Sequence, residues 1–159
     1  MRKILIILIL ATASSAFAQL IKVGETRIFS FETDAGKTAV ICKGDNDSYL
    51  VYRFGTKSKI EFQYPDERSN LTWKLFTYSY YFRGGGKENA GLELNYLSFK
   101  NNGYIYKLYQ EYSAEDSTES AGIVVTAKDL KETDIKAVKN SVKGSLVDFR
   151  YSDKIKRDQ

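Results

Sequence analysis

Residues 73–112 read WKLFTYSYYFR, GGGKENA, GLELNYLSFK, NN and GYIYKLYQEY, in that order. Three of these pieces are rich in aromatic and branched residues, which favour strands, and the two between them are turn signals. Asn102-Gly103 is typical of a type I′ hairpin turn, because both central residues of that turn need positive φ. The stretch therefore predicts three consecutive strands around which the rest of the chain packs.

Alternation within this stretch predicts which side chains are buried. Aromatic residues occupy every second position from Phe76 to Phe82, and successive side chains of a strand point to opposite faces, so one face is aromatic. The leucine and tyrosine alternation of the second run changes parity near Tyr96, which predicts either a bulge or a strand buried on both faces. The residues expected in the core are Phe76, Tyr78, Tyr80, Phe82, Leu94, Tyr106 and Leu108.

The remainder of the chain repeats the pattern of short apolar runs and turns. Further strands are expected at residues 26–32, 38–42, 49–54, 60–64, 123–127, 135–138 and 145–149. Strands at intervals of about ten residues predict an all-β fold, a single-domain antiparallel sandwich or small barrel of about eight strands. We expect one β domain over residues 19–153, a mobile acidic loop at 113–120 and a basic, frayed C-terminal tail at 154–159.

The first eighteen residues have the composition of a secretory signal peptide. Arg2 and Lys3 form a basic start, residues 4–10 are an unbroken apolar run, and residues 16–18 form an A-x-A cleavage site. The apolar run is too short to span a bilayer, which needs about 20 residues. Gln19 follows the cleavage site, where a lipoprotein would have cysteine. We therefore expect cleavage after the last alanine and a periplasmic or secreted protein whose mature chain has no membrane span.

Charge and composition exclude several classes of function. Removing Arg2 and Lys3 with the signal peptide lowers the formal net charge from +4 to +2, too little for a typical nucleic-acid binding face. The chain has no histidine, which excludes Ser-His-Asp and Cys-His catalysis and HExxH zinc sites. The single cysteine, Cys42, excludes an internal disulfide. It is expected to be a buried core thiol, with pairing between chains as the alternative.

Carboxylates are the remaining candidates for chemistry. Asp45 and Asp47 flank an asparagine as in a calcium loop, but the rest of that pattern is absent, which favours a solvated turn. Glu115, Asp116 and Glu119 could contain a glycosidase-like pair, or could simply line a solvated loop. No catalytic, cofactor-binding or metal-binding residue can be named, so we expect a protein that is not an enzyme and carries no cofactor.

Tyrosine is the residue in surplus, with twelve in the chain. Tyrosine combines a large apolar area with a polar tip and is enriched at interfaces, so a tyrosine-rich sheet face could bind a protein or glycan partner. The glycine-rich loop at 83–91 is either a flexible hairpin connection or a mobile contact loop; it is not a P-loop, because Glu88 follows Lys87. The candidate contact residues are Arg83, Lys87, Asn102, Gly103, Tyr104 and Tyr106.

Three segments resemble an uncharacterised family of small exported bacterial proteins: YRFGT at 52–56, FTYSYYFRGGG at 76–86 and LNYL at 94–97. That resemblance implies no known activity. Residues 102–106, NGYIY, are also similar to the S-G-x-x-Y motif of periplasmic C-type lysozyme inhibitors, with asparagine in place of serine. Those inhibitors are small exported β-barrels whose motif enters the lysozyme active site, so the resemblance implies lysozyme binding. The disulfide of that family is impossible with one cysteine.

These observations lead to one functional expectation and two alternatives. The expectation is an exported cell-envelope binding or inhibitor module that uses a tyrosine-rich β face and the 83–91 loop, with a protein as the favoured partner. The first alternative is a structural or stress-related envelope protein that binds nothing specific. The second is a carboxylate-dependent hydrolase.

Overall fold

The computed structural model describes residues 20–86 and 89–158 and contains two β-sheets packed face to face. Neither sheet closes on itself, so the predicted all-β sandwich is confirmed and the barrel alternative is wrong. The predicted signal peptide and its cleavage site lie outside the described residues. Within the described part of the chain, no helix has the length and apolar character needed to cross a membrane.

The first sheet has five strands and the second has six. In spatial order, the first sheet consists of β10 (Lys143–Gly144), β1 (Glu25–Glu32), β2 (Thr38–Gly44), β3 (Leu50–Thr56) and β4 (Lys59–Tyr64). The second consists of β11 (Lys156–Arg157), β5 (Thr77–Arg83), β6 (Leu92–Asn101), β7 (Tyr104–Ser113), β8 (Thr118–Thr126) and β9 (Glu132–Lys136). Short 3-10 helices span Asp45–Asp47, Asn70–Leu75 and Leu146–Phe149. All neighbouring strands are antiparallel except β11 and β5, which are parallel.

Strands β5, β6 and β7 form the meander predicted from residues 73–112. Asn102 and Gly103 have φ of 50° and 82°, as the predicted type I′ turn requires. No register shift interrupts β6 on either side, so the bulge predicted near Tyr96 is wrong. The change of parity has another cause: a polar residue, Asn95, is buried on the core side of β6 and interrupts the apolar pattern.

Aromatic rings fill the space between the sheets. Phe99 of β6 lies at the centre, and its ring centroid is 4.5 Å from that of Tyr64, 4.7 Å from Tyr106, 5.2 Å from Tyr52 and 5.3 Å from Phe76. Offset and edge-to-face ring pairs at such distances add to the stability gained from burial. The alternating strands of both sheets therefore meet in one aromatic core, as the sequence pattern predicts.

The outer face of the first sheet is covered as well, by the first described residues of the chain. A small apolar cluster forms there from Leu20, Val40, Cys42 and Val51. Because side chains on both faces of β2 are buried, its sequence is a continuous apolar run and not an alternating one. Cys42 is fully buried, which confirms the predicted core thiol, and burial raises the pKa of its thiol to about 12.

Three segments differ from their predicted structure. The strand expected at 145–149 is wrong, because Ser145 accepts a hydrogen bond from Val147 N–H and caps a 3-10 helix there. Half of the mobile loop expected at 113–120 is strand, since β7 reaches Ser113 and β8 begins at Thr118, and the turn between them is limited to residues 114–117. The C-terminal residues are docked rather than frayed, because β11 pairs with β5 and Ile155 is buried.

The predicted core is right for only part of the aromatic run. Phe76, Tyr78 and Leu108 are fully buried, as predicted. Tyr80 and Phe82 are 45% and 58% exposed, so their predicted burial is wrong. Two further predicted core residues, Leu94 and Tyr106, are only half-buried. Phe149 of the helix at 146–149 packs against Tyr78, and beyond it Arg150 lies over Tyr80 and Phe82, which leaves those two rings partly open. Leu94 has a different reason, because it pairs with Tyr81 and so lies on the outer face of the sheet, and Tyr106 lies near the other end of the sheet.

Candidate functional site

The uncovered end of the second sheet carries a group of exposed aromatic side chains. Tyr80 and Phe82 of β5 share a face with Tyr112 of β7, which is 43% exposed. Glu93 of β6 pairs with Phe82 on one side and Tyr112 on the other, so the four side chains are neighbours on one surface. Arg150, just after the last 3-10 helix, lies over the rings of Tyr80 and Phe82 and pairs with Glu93. We call these five residues the aromatic shelf.

Arg150 connects the charged and aromatic parts of the shelf. Its guanidinium carbon lies 4.6 Å from the ring centroid of Tyr80 and 5.6 Å from that of Phe82, within cation–π range. Its Nη2 donates to a carboxylate oxygen of Glu93 and, at 3.3 Å, to Oδ1 of Asn95. Although burial disfavours the charged form, the hydrogen bond to Glu93 raises the pKa of Arg150. The guanidinium is therefore held in one orientation.

The layer beneath the shelf is polar and almost fully hydrogen-bonded. Asn95 accepts a 2.6 Å hydrogen bond from the hydroxyl of Tyr78, whose pKa is raised mainly by burial. Gln110 Oε1 accepts from Ser145 Oγ at 3.1 Å and from the N–H of Leu146 at 2.8 Å, which fixes the helix against β7. These bonds explain how polar residues can occupy the core side of β6 and β7 at this level. The shelf consequently rests on a rigid support.

One buried polar atom at the shelf has no hydrogen-bond partner among the described residues, Nε of Arg150. The Arg150 side chain is 13% exposed, and that of Glu93 is 29% exposed. A partly exposed Arg–carboxylate pair beside exposed rings is a common composition for protein interfaces, in which tyrosine and arginine are enriched.

The carboxylates near the shelf have an arrangement that bears on the hydrolase alternative. Glu93 and Glu119 both pair with Tyr112, so they lie two strands apart on the same face, roughly 10 Å between backbones. Glu115 and Asp116 are exposed in the turn between β7 and β8. A general acid must direct a carboxyl oxygen at the leaving group, whereas a carboxylate oxygen of Glu93 already accepts a hydrogen bond from Arg150. This environment suits an ion pair better than proton transfer to a leaving group.

Part of the predicted contact set adjoins the shelf. Arg83 ends β5 on the opposite face from Phe82, is exposed, and donates from Nε to the carbonyl oxygen of Ala90 at 3.1 Å. Gly86 N–H bonds to Asn89 O at 2.9 Å, which closes the described ends of the loop. The other predicted cation of this loop, Lys87, lies outside the described residues.

The rest of the predicted set lies at the other end of the sheet. Asn102 and Gly103 follow β6, whereas Arg83 pairs with the first residue of β6, a separation of roughly 30 Å along the strand. Tyr104 is 40% exposed there. Tyr106 is half-buried, with its ring stacked on those of Phe62 and Phe99. The six predicted residues therefore do not form one site.

Most tyrosines serve the fold. Seven of the twelve are buried or half-buried, and the five exposed ones are Tyr80, Tyr81, Tyr104, Tyr112 and Tyr151. On the outer face of the second sheet, Tyr96 donates to Glu111 at 2.8 Å and Tyr109 donates to Asp134 at 3.0 Å. Burial and the neighbouring carboxylate raise the pKa of Tyr96 to about 12. The exposed rings that cluster are those near the end of β5.

Sequence reasoning missed the charged half of the shelf. Arg150 stands in no motif, and Glu93 lies in β6, where the apolar alternation of the sequence changes parity. Only the tertiary contact between β6 and the segment after the last 3-10 helix brings them together. The calcium-like Asp45–Asp47 turn has a different role, because Asp47 pairs with Lys43 at 2.7 Å and Lys154 at 3.5 Å. Among the residues that the structure describes, no three potential ligands converge as a metal site would require.

Comparison of the chain with protein-family models, with curated proteins and with solved structures gives no match. The functional argument therefore rests on the geometry of the shelf and on the sequence.

Proposed function

We propose that this protein is an exported cell-envelope binding module that recognises a protein partner through the aromatic shelf and the adjoining 83–91 loop. The observation that carries the proposal is the cluster of three exposed rings, Tyr80, Phe82 and Tyr112, around the Arg150–Glu93 pair. The basic start, apolar run and A-x-A site of the first eighteen residues support export.

The shelf has properties that favour binding over simple solvent exposure. Large aromatic side chains gain much from leaving water, and binding hot spots are enriched in tyrosine, tryptophan and arginine. Arg150 is already held by Glu93 and Asn95 and packed on Tyr80, so little side-chain entropy remains to be lost when a partner docks. A rigid cation among rings is a suitable anchor for a protein surface.

The proposal treats the protein as a non-enzyme. The chain has no histidine, and its only cysteine is buried with a raised pKa, which removes two common nucleophile systems. Glu93, the carboxylate of the shelf, is paired with Arg150. Glu119 is the member of the predicted acidic set that shares a face with Glu93, so retention of binding with loss of turnover in Glu119→Gln would favour the hydrolase alternative.

Two tyrosines of β7 give a matched test of where the partner binds. Tyr112 and Tyr104 share a strand, a face and a similar exposure, 43% and 40%, but lie at opposite ends. Tyr104 adjoins the Asn102-Gly103 turn, which the resemblance to lysozyme inhibitors favours as the contact. Comparing Tyr112→Ala with Tyr104→Ala therefore separates the shelf from the turn while keeping the lost ring area equal.

The experiment uses the mature protein, immobilised and exposed to envelope extract and to a panel of lysozymes. The captured partner is then purified and its affinity is measured by calorimetry. We expect Tyr112→Ala and Arg150→Ala each to weaken binding by at least about 2 kcal/mol, the size of a hot-spot effect, and Tyr104→Ala to change it little. Melting temperatures of the variants check that folding is intact.

The opposite result moves the site to the other end of the sheet. If Tyr104→Ala abolishes binding and Tyr112→Ala does not, the Asn102-Gly103 turn is the contact and the shelf proposal is wrong. If the wild-type protein captures no specific partner from either source, the structural envelope role replaces the binding role.

A further inference from the structure

The edge of the second sheet next to the shelf is covered over only part of its length. β11 pairs with β5 at Thr77 and Tyr78, and Asp158 N–H donates to the carbonyl oxygen of Tyr78 at 3.1 Å. Beyond that point, no described strand pairs with the outer edge of β5. Residues 79–83 are therefore an open edge strand.

Two hydrogen bonds determine which backbone groups face this open edge. The carbonyl of Tyr78 points towards β11, and alternate residues of a strand direct their N–H and C=O to the same side. On the other side of β6, Ala114 N–H donates to Gly91 O at 2.9 Å, so the odd-numbered residues of β6 bond to β7 and the even-numbered ones to β5. Both hydrogen bonds indicate the same orientation of the β5 backbone. The N–H and C=O groups of Tyr80 and Phe82 point to the open edge.

The other open edges of the described sheets carry charges within their strands, whereas this one has a charge only at its end, Arg83. Charged side chains on an edge strand discourage pairing with another chain. Edge strand β4 has Lys59 and Glu61, and edge strand β9 reads ETDIK. In contrast, residues 79–82 read SYYF. Three consecutive exposed aromatic residues beside unpaired backbone groups form a favourable template for another strand.

We propose that a second copy of this chain pairs antiparallel with this edge, through the N–H and C=O groups of Tyr80 and Phe82, to form a two-fold dimer. The pairing joins the two six-stranded sheets into one continuous sheet and brings the Tyr80 and Phe82 rings of both copies onto one surface. The contact is isologous, so each copy uses the same residues. The dimer does not depend on the binding role proposed above.

The end of β11 limits the register of this pairing. Asp158 lies beside Ser79, so the strand of the second copy must turn away at that level. Placing Phe82 on the two-fold axis sets Gly84 opposite Tyr80 and lets the chain leave at Gly85. Open space surrounds Gly84, and residues 84–86 have no side chains to obstruct the turn.

The same register also gives the charged side chain of Arg83 a favourable neighbour. It places the guanidinium of Arg83 opposite the ring of Tyr81 in the other copy, on the face away from the shelf, where a cation–π contact can form. It keeps the two Arg83 side chains apart, whereas a shift that paired them would place like charges directly opposite. An antiparallel second copy therefore satisfies backbone, aromatic and charged groups together.

The test compares two substitutions of Tyr80 that remove the same ring. Tyr80→Pro also removes the N–H that faces the open edge, whereas Tyr80→Val keeps it, and neither interrupts the hydrogen bonds to β6. Sedimentation equilibrium of the mature protein should give a reversible dimer for the wild type and for Tyr80→Val. The dimer dissociation constant of Tyr80→Pro should be at least about tenfold higher than that of Tyr80→Val, because the two-fold axis doubles the loss.

Hydrogen exchange of the wild-type protein gives a second measurement that does not depend on a variant folding. The amides of Tyr80 and Phe82 should become protected as protein concentration rises, while the amide of Ser79 changes little because it already bonds to β6. A wild-type protein that stays monomeric at its highest soluble concentration would overturn the proposal. So would a dimer in which those two amides are unprotected, or a folded Tyr80→Pro variant that dimerises as tightly as Tyr80→Val.

Discussion

The segment from Phe76 to Phe82 has one alternating pattern but two environments. Phe76 and Tyr78 are fully buried, whereas Tyr80 and Phe82 on the same face are 45% and 58% exposed. The first pair lies under the first sheet and the helix at 146–149, and the second pair extends past both. Alternation therefore determines which face a side chain occupies, whereas burial depends on what another part of the chain places above it.

The same contrast separates two Arg–Glu ion pairs. Arg53 and Glu25 have completely buried side chains, and Arg53 bonds to both carboxylate oxygens of Glu25 at 2.6 and 2.7 Å. Two of its other N–H groups donate to Gln63 at 2.7 Å and to the carbonyl of Leu20 at 2.8 Å. The Arg150–Glu93 pair is partly exposed, and one buried guanidinium atom, Nε of Arg150, has no partner among the described residues. The covered pair holds the fold together, and the uncovered pair lies where a partner can reach it.

The largest expected effect comes from breaking the covered ion pair. Glu25→Ala leaves the buried guanidinium of Arg53 without a counter-charge, which typically costs about 3–5 kcal/mol of unfolding free energy. It also removes the acceptor of Tyr49 OH and of Lys22 N–H. Glu93→Ala should cost only about 1 kcal/mol, because the exposed side of that pair is screened by solvent. Denaturant titrations of both variants check the difference; equal losses would contradict it.

The next effect separates the two halves of the aromatic run. Phe76→Ala should cost about 3–5 kcal/mol, because its ring is fully buried among core rings and its loss leaves a cavity. Phe82→Ala should cost less than about 1 kcal/mol, as is usual for an exposed side chain. A large loss for Phe82→Ala in the monomer would mean that its ring is covered, and the distinction between the two halves would fail.

Features that depend on neighbouring residues could be predicted from the sequence. Which parts of a sheet face are covered by distant segments of the chain could not. The Asn102-Gly103 turn was predictable because its conformation depends on two residues, and the burial of Cys42 because it ends a short apolar run. The shelf was not, since its exposure depends on where a helix some 65 residues downstream in the chain ends. The core-facing side of β6 could not be predicted either, because the polar residue Asn95 lies on it, where the hydroxyl of Tyr78 donates a hydrogen bond to its side chain.

A smaller effect should appear as a pH dependence of stability. Burial alone would raise the pKa of Glu25, but hydrogen bonds from Arg53, Lys22 N–H and Tyr49 outweigh it and lower the pKa below its usual value. A depressed carboxylate pKa contributes stability above the unfolded-state pKa, and that contribution is lost as pH falls through the folded-state pKa. Unfolding free energy should therefore decrease towards acid pH. Glu25→Gln should flatten this slope, and an unchanged slope would contradict the assignment.

The smallest expected effect is the change in stability on removing a single tyrosine hydroxyl, that of Tyr96 or that of Tyr112. Tyr96 donates to Glu111 on the half-buried outer face of the second sheet, and Ser120 donates to the other oxygen of that carboxylate at 3.1 Å. Tyr96→Phe should cost about 1 kcal/mol, the net value of one hydrogen bond, because Ser120 still satisfies part of Glu111. Within the described residues, the hydroxyl of Tyr112 on the shelf has no such acceptor, so Tyr112→Phe should leave stability unchanged.

The two phenylalanine variants also distinguish stability from recognition. If the shelf binds a partner, Tyr112→Phe keeps the ring and should retain most of the affinity, whereas Tyr112→Ala loses the ring and should bind poorly. Tyr96→Phe should reduce stability without altering affinity, because its ring lies on the opposite face of the sheet from the shelf. Melting curves and calorimetric titrations of the three variants measure both properties. A loss of affinity in Tyr96→Phe equal to that in Tyr112→Ala would show that the partner contacts the outer face of the second sheet. The proposal that the shelf alone binds the partner would then be wrong.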